Sequence, residues 1–159
     1  MVYITIIFLI ILVDAILKEY TEKYIKKGQV KLICKDKIIV TKSYNEGAAL
    51  RLLEEHPLLL KCISGGILIF LCLYFIILMR GKKNRSLKIA LSFILGGGLS
   101  NYIDRFIRGY VVDYFTFARK DKKIGKKIIF NLSDFCIFFG SAVVALREGI
   151  QFLSLLLKK

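Results

Sequence analysis

Asp113, in GYVVDYF, and Asp134, in FNLSDF, are the residues of this chain best suited to breaking a bond. Two carboxylates that share one proton can hydrolyse an amide. The ionised one draws a proton from water, while the protonated one polarises the carbonyl and then supports the leaving amine. Desolvation at a membrane edge suits such a pair, because burial raises a carboxyl pKa and like-charge proximity splits the two values. The same aspartates also fit a quieter arrangement, with one capping a helix or paired to Arg108 or Arg119 and the other hydrogen-bonded inside a helical bundle.

Other chemistries lack their parts. His56 is the single histidine and has no partner at ligand spacing, and Cys34, Cys62, Cys72 and Cys136 form no C-x-x-C pair, so neither a zinc site nor another metal centre is expected. Cys62, Cys72 and Cys136 lie within apolar runs as small side chains. Ser100 and Ser133 have no histidine to activate them, and a lysine base would have to come from Lys18 or a loop. GGG at 96–98 is not followed by the G-K-[ST] of a phosphate loop.

The elements that must position the carboxylates are spanning helices. Hydrophobic residues make up 56% of the 159 residues, and the mean hydropathy is +0.60, too apolar for a soluble domain of this size. Four apolar segments read as spans, at about 2–17, 58–79, 87–103 and 128–146. At 1.5 Å per residue the second is about 33 Å long, enough to cross a bilayer, whereas the first covers only about 24 Å and needs help from its neighbours or a thinned bilayer. The first has no basic flank before it and no A-x-A site after it, so it reads as a retained span, not a cleaved signal peptide. The expectation is an all-α integral membrane protein forming a single unit over 1–159.

The net charge of +14 raises nucleic acid as a partner, but in a membrane protein the placement of lysines decides first, and no nucleic-acid partner is expected. RGKKNRSLK, residues 80–88, carries five Lys/Arg and no acid, which puts that loop and both termini in the cytoplasm. Asp14, Asn101 to Arg105, Asp113 and Asp134 then gather toward the outer face, with Asp134 about two turns into the last span. Ionisable groups collected at one membrane level imply a site there. Between the first two spans, VKLIC and IIV flank Lys35-Asp36-Lys37 as a small hairpin. SYNEGAALRLLEEHP follows as a turn and a short amphipathic helix, capped near Asn45 and stopped at Pro57, lying on the membrane surface.

Several separated blocks, in order, resemble the lipoprotein signal peptidase (signal peptidase II) family. Asp14 with Lys18 is similar to its D-x-x-x-K. Asn45 to Ala49 (NEGAA) resembles its N-x-G-A-A, Asn101 to Arg105 (NYIDR) its N-x-x-D-R, Gly109 to Asp113 (GYVVD) its G-x-V-x-D, and Phe130 to Asp134 (FNLSD) its F-N-x-A-D. The likeness extends from Asp14 to about Gly140. Departures are Ser100 where glycine commonly precedes the asparagine, Leu50 for phenylalanine, Ser133 for alanine and Ala15 for glutamine, and a longer, more basic stretch before the last span.

The resemblance implies that Asp113 and Asp134 form the catalytic dyad of an aspartic endopeptidase with no cofactor and no metal. Its substrates would be diacylglyceryl-modified prolipoproteins, cut on the amino side of the lipidated cysteine. It implies positioning roles for Asp14, Lys18, Asn45, Gly47, Asn101, Arg105 and Asn131. It also implies a bacterial cytoplasmic membrane location with phospholipid neighbours; a monomer is expected. For Asp104, pairing with Arg108 one turn on is the expected role. Two other classes fit the composition: a small transporter or proton relay, although acids at one face give no path across, and a non-enzymatic assembly or lipid-binding protein using its lysines on anionic headgroups.

Overall fold

The computed structural model describes residues 1–48, 52–118 and 128–157. It contains four helices and one small sheet: α1 (Val2–Tyr24), β1 (Lys31–Ile33), β2 (Ile38–Asn45), α2 (Pro57–Met79), α3 (Arg85–Ile107), β3 (Val111–Phe117) and α4 (Leu132–Leu156). The chain is therefore mainly helical with a three-stranded antiparallel sheet in the order β1-β2-β3. α2 and α4 are long and apolar enough to cross a membrane.

The helices differ from the apolar runs for identifiable reasons. α1 is 23 residues, about 34 Å, and passes well beyond Leu17. Its buried residues are Ile10, Asp14, Lys18 and Thr21, spaced four, four and three apart. The inward stripe thus becomes polar where the hydropathy falls, and the helix continues because that stripe has partners. α4 begins at Leu132, not Ile128, because Phe130 is held extended by a β-bridge to Phe115 and Asn131 caps the helix. At its other end it runs past Leu146 to Leu156.

α3 is the central helix, packing against α1, α2 and α4. Its three glycines each meet a different neighbour. A Cβ at Gly96 would lie 3.0 Å from Ile10 of α1, one at Gly97 would press into the Ser133 carbonyl of α4, and one at Gly98 would come within 2.8 Å of Leu68 of α2. In lipid, where apolar surface alone does not drive helices together, such close backbone approach is what packs them. Leu68 and Phe75 of α2 close over Leu87, Leu91 and Leu95 of α3 to form the apolar core away from the sheet.

The expected hairpin is present, with Lys31 opposite Val40 and Ile33 opposite Ile38. The amphipathic helix is not found among the described residues: Asn45 ends β2 opposite Val111 instead of capping a helix, residues 52–55 form a turn, and Pro57 opens α2 instead of stopping a helix. Proline is well placed at a first helical position, where its missing N–H is no loss. Ala49, Leu50 and Arg51 lie outside the described residues, as does the basic stretch 119–127. Asp113, expected in a loop, sits in β3 opposite Ser43. Gly109, with φ +85°, makes the tight turn that lets β3 start directly after α3.

The glycine packing gives a direct test. Gly97→Val should lower the thermal midpoint of the detergent-solubilised protein, by about 1–3 kcal/mol of overpacking or more. Gly66→Ala, where a Cβ meets nothing within 4 Å, should not. Equal midpoints for the two variants would show that α3 and α4 do not approach as described.

Candidate active site

The site is built on a buried ion pair. Lys18 Nζ lies 2.7 Å from Asp14 Oδ2 one turn away on α1, and 3.0 Å from Asp104 Oδ2 on α3, with Asp14 0% and Lys18 1% exposed. Charges this buried persist only where their remaining hydrogen-bonding positions are filled. Asp14 accepts from Ser100 Oγ (2.6 Å) and Ser133 Oγ (2.6 Å) on one oxygen and from the Tyr114 hydroxyl (3.0 Å) on the other. Lys18 donates in turn to Asn101 Oδ1 (3.0 Å). Burial, then the charge of Asp14, push the Tyr114 phenol well above its ordinary value, so it stays a donor. Tyr114 and Ser133 adjoin Asp113 and Asp134 in sequence, and both are tied to the one carboxylate of Asp14.

Three asparagines stand between this pair and the two aspartates, and each is oriented by a group that can only donate. Lys18 requires the oxygen of Asn101, so the Asn101 amide nitrogen faces Asp134 Oδ1 at 3.0 Å. The backbone N–H of Asp134 requires the oxygen of Asn131, so the Asn131 nitrogen turns to Asp113 Oδ1 at 2.7 Å and to Asn101 Oδ1 at 3.2 Å. The backbone N–H of Gly47 requires the oxygen of Asn45, leaving its nitrogen 3.1 Å from Asp113 Oδ2. Asp134 Oδ2 accepts from the Asn131 backbone at 3.1 Å, completing a capping box at the start of α4. Each of the four carboxylate oxygens thus holds one N–H, with lone-pair capacity left for a proton or a water.

Asp134 is the third residue of α4, in its first turn, rather than two turns inside. Asp113 is 4% exposed, and burial, then the charge of Asp134, raise its pKa to about 7 against the opposing hydrogen bonds of Asn45 and Asn131 and the charge of Lys18. A carboxyl titrating there can hold or release a proton near neutrality. All four oxygens already face N–H donors, and among the described residues no three His, Cys, Asp or Glu side chains gather to hold a metal.

Of the expected positioning residues, Asn45, Asn101 and Asn131 touch the two aspartates directly, while Lys18 acts on them through Asn101 and Asp14 through Tyr114 and Ser133. Gly47 and Arg105 stand one step back: Arg105 donates to the Gly47 carbonyl at 2.9 Å and the Asn101 carbonyl at 3.4 Å, clamping the end of β2 to α3. Its Nε is buried and has no hydrogen-bond partner among the described residues. Asp104 pairs with Arg108 as expected (3.3 Å) and also with Lys18, while accepting from the Val112 backbone at 3.4 Å. Sequence reasoning missed Tyr114, Ser100 and Ser133 as partners of Asp14. The signal was available in the two serines that depart from the family pattern, both next to site residues.

If the Asp14 network holds the site together, Asp14→Asn should cost about 3–5 kcal/mol of stability, since Lys18 loses its nearest charge and an NH₂ group meets a ring of donors. Ser133→Ala should cost about 1 kcal/mol, one donor among several. Thermal unfolding with parallel turnover assays reads both, and a wild-type midpoint for Asp14→Asn would remove the network from its structural role.

A family model described as signal peptidase (SPase) II matches residues 6–149. The lipoprotein signal peptidase of Brevibacillus brevis is 32% identical over 137 residues, covering 86% of this chain and 87% of the relative. That of Halothermothrix orenii is 32% identical over 146 residues, covering 92% and 93%. A solved structure described as a bacterial membrane enzyme, obtained by the in meso method at 1.9 Å resolution, superposes with a TM-score of 0.76 at 27% identity, over 92% of this chain and 91% of that one.

Proposed function

The chain belongs to the signal peptidase II family, the lipoprotein signal peptidases, and from that premise we propose that it is an aspartic endopeptidase in which Asp113 and Asp134 hydrolyse the bond on the amino side of a diacylglyceryl-modified cysteine. The family activity is removal of signal peptides from prolipoproteins. The observation that carries the aspartic reading is the pair itself: two carboxylates at the ends of different elements, bridged by Asn131 and each fixed by amides, with Asp113 raised to about 7.

In the proposed cycle the pair shares one proton and titrates as a unit. Asp113 holds the proton at rest. Asp134 holds the negative charge, favoured by the N–H groups and dipole at the start of α4. Asp134 takes a proton from water as its oxygen attacks the scissile carbonyl, and Asp113 gives its proton to the carbonyl oxygen. The resulting gem-diol collapses: Asp134 passes its proton to the departing nitrogen, and Asp113 recovers a proton from one hydroxyl. One water is consumed and the dyad returns to its starting state. Asn45, Asn101 and Asn131 keep both carboxylates aimed, and Arg105 keeps Gly47 and the end of β2 beside them.

The chain acts as one membrane-embedded unit and a monomer among phospholipids. All four helices span the cytoplasmic membrane of a bacterium, with both termini inside and the site at the outer face. The lysine-rich loop between α2 and α3 and the buried, paired state of Asp14 and Lys18 on α1 support this arrangement.

Asp113→Asn and Asp134→Asn should each lower cleavage of a lipidated peptide by on the order of a thousand-fold while the protein remains inserted. A fully active purified variant would exclude that residue from the chemistry. Wild-type kcat/KM should fall on the alkaline side with an apparent pKa near the value of about 7 for Asp113, because ionisation removes the proton donor. Removing the Asn45 N–H, which favours the charged form, should raise that value, so the residual activity of Asn45→Ala should persist to higher pH. A shift downward would contradict the assignment of the donor.

Topology is tested separately by thiol labelling of cysteine-free protein carrying single replacements. Lys35→Cys should react with an impermeant reagent from outside and Lys83→Cys only after the membrane is opened. The reverse pattern would place the site in the cytoplasm and end the exported-substrate reading.

A further inference from the structure

Beyond the site, the strongest unassigned feature is a basic surface formed by the end of α1 and the β1–β2 hairpin. Lys23, Lys26, Lys27, Lys31, Lys35 and Lys37 are all exposed, within one short stretch of chain. None of the six forms an ion pair among the described residues; Lys23 and Lys27 instead lie over the rings of Tyr24 and Tyr44. The acids nearby offset only part of this charge. Glu22 is bound to Lys42 and Tyr44 and Glu19 pairs with Arg108, while Asp36, at the turn between Lys35 and Lys37, is one acid among six lysines.

Apolar groups are mixed into the same surface. Ile33, 44% exposed, shares a face of the outer strand with Lys31, two residues away, and Tyr20 and Tyr24, each 54% exposed, pack their rings 4.9 Å apart on the last turns of α1. Tyrosines at the end of a spanning helix sit at headgroup level, and lysines beside them face phosphate. A soluble anion would have no use for the isoleucine and tyrosines.

We propose that this surface binds the headgroups of anionic phospholipids, laying the hairpin on the bilayer with Ile33 at the interface and the six lysines toward the phosphates. The consequence for the sheet is mechanical. β2 carries Asn45 at its far end and pairs with the strand of Asp113, so a hairpin held by lipid fixes the edge of the site at interface level. The inference depends on the charge and position of the surface and not on the chemistry of the aspartates.

Cys34, exposed in the hairpin turn, is a built-in reporter. The full chain, with its other three cysteines replaced, is labelled there with an environment-sensitive dye and reconstituted into phosphatidylcholine bilayers with or without phosphatidylglycerol. The emission should shift to the blue only with phosphatidylglycerol, return toward the aqueous value in high salt, and stay unshifted when the six lysines are changed to glutamine. In the unlabelled natural chain, native mass spectrometry should show retained phosphatidylglycerol that the six-glutamine variant loses. Emission independent of lipid charge, or equal phosphatidylglycerol retention by both proteins, would overturn the proposal. The same shift produced by inorganic phosphate in phosphatidylcholine bilayers would also overturn it, by assigning the surface to a soluble anion.

Discussion

A single ammonium group, Lys18 Nζ, sets the terms for everything around it. At 1% exposure it cannot be solvated by water, so acceptors must be brought to it from within the protein. Asp14 comes from its own helix, and Asp104, Asn101 and Ser100 come from α3. Because the ammonium can only donate, it also decides which way Asn101 points, and through Asn101 which atoms face Asp134. Backbone N–H groups of Asp134 and Gly47 set Asn131 and Asn45 in the same way, so the polarity of the hydrogen-bonded set follows from groups that have no acceptor to offer.

The tight helix packing serves the same end. Three consecutive glycines on α3 bring α1, α2 and α4 close around it, and the approach of α4 at Gly97 is made through the carbonyl of Ser133, beside Asp134. Helix spacing and carboxylate position are therefore one geometric fact. The sheet supplies the other half. Asp113 and Asn45 arrive on neighbouring strands, and Arg105 and Asp104 stitch the ends of those strands to α3. A strand places its side chains more firmly than a loop can, which suits a carboxylate that must meet a partner on a helix.

Much of this was legible in the residues, and the failures have physical causes. The polar positions Asp14, Asn101, Asp104 and Asp134 stood out because charge within apolar runs needs a partner, and the hairpin stood out because its strands flank a polar turn. The continuation of α1 was hidden because hydropathy measures lipid contact, while Lys18 and Thr21 face protein. β3 was hidden because a strand carrying an aspartate between valines and aromatics reads as a polar interruption until its partner, seventy residues earlier in the chain, is known. The NEGAA stretch reads as a helix start by composition, but Asn45 is bound by strand pairing and by Asp113. Ser100 and Ser133 lack a base that would make them nucleophiles, and their hydroxyls serve instead as donors to a buried carboxylate.

The spacing of Asp14 and Lys18 also bears on the order in which the fold forms. The chain is made from its amino end, so α1 exists before Asn101, Tyr114 or Ser133 can receive its charges. Four residues apart on one helix, the carboxylate and the ammonium can pair with each other alone, so the helix carries a local dipole instead of two separate ions. Partners from later elements then gather around a pair already formed. The order of synthesis and the order of electrostatic satisfaction coincide.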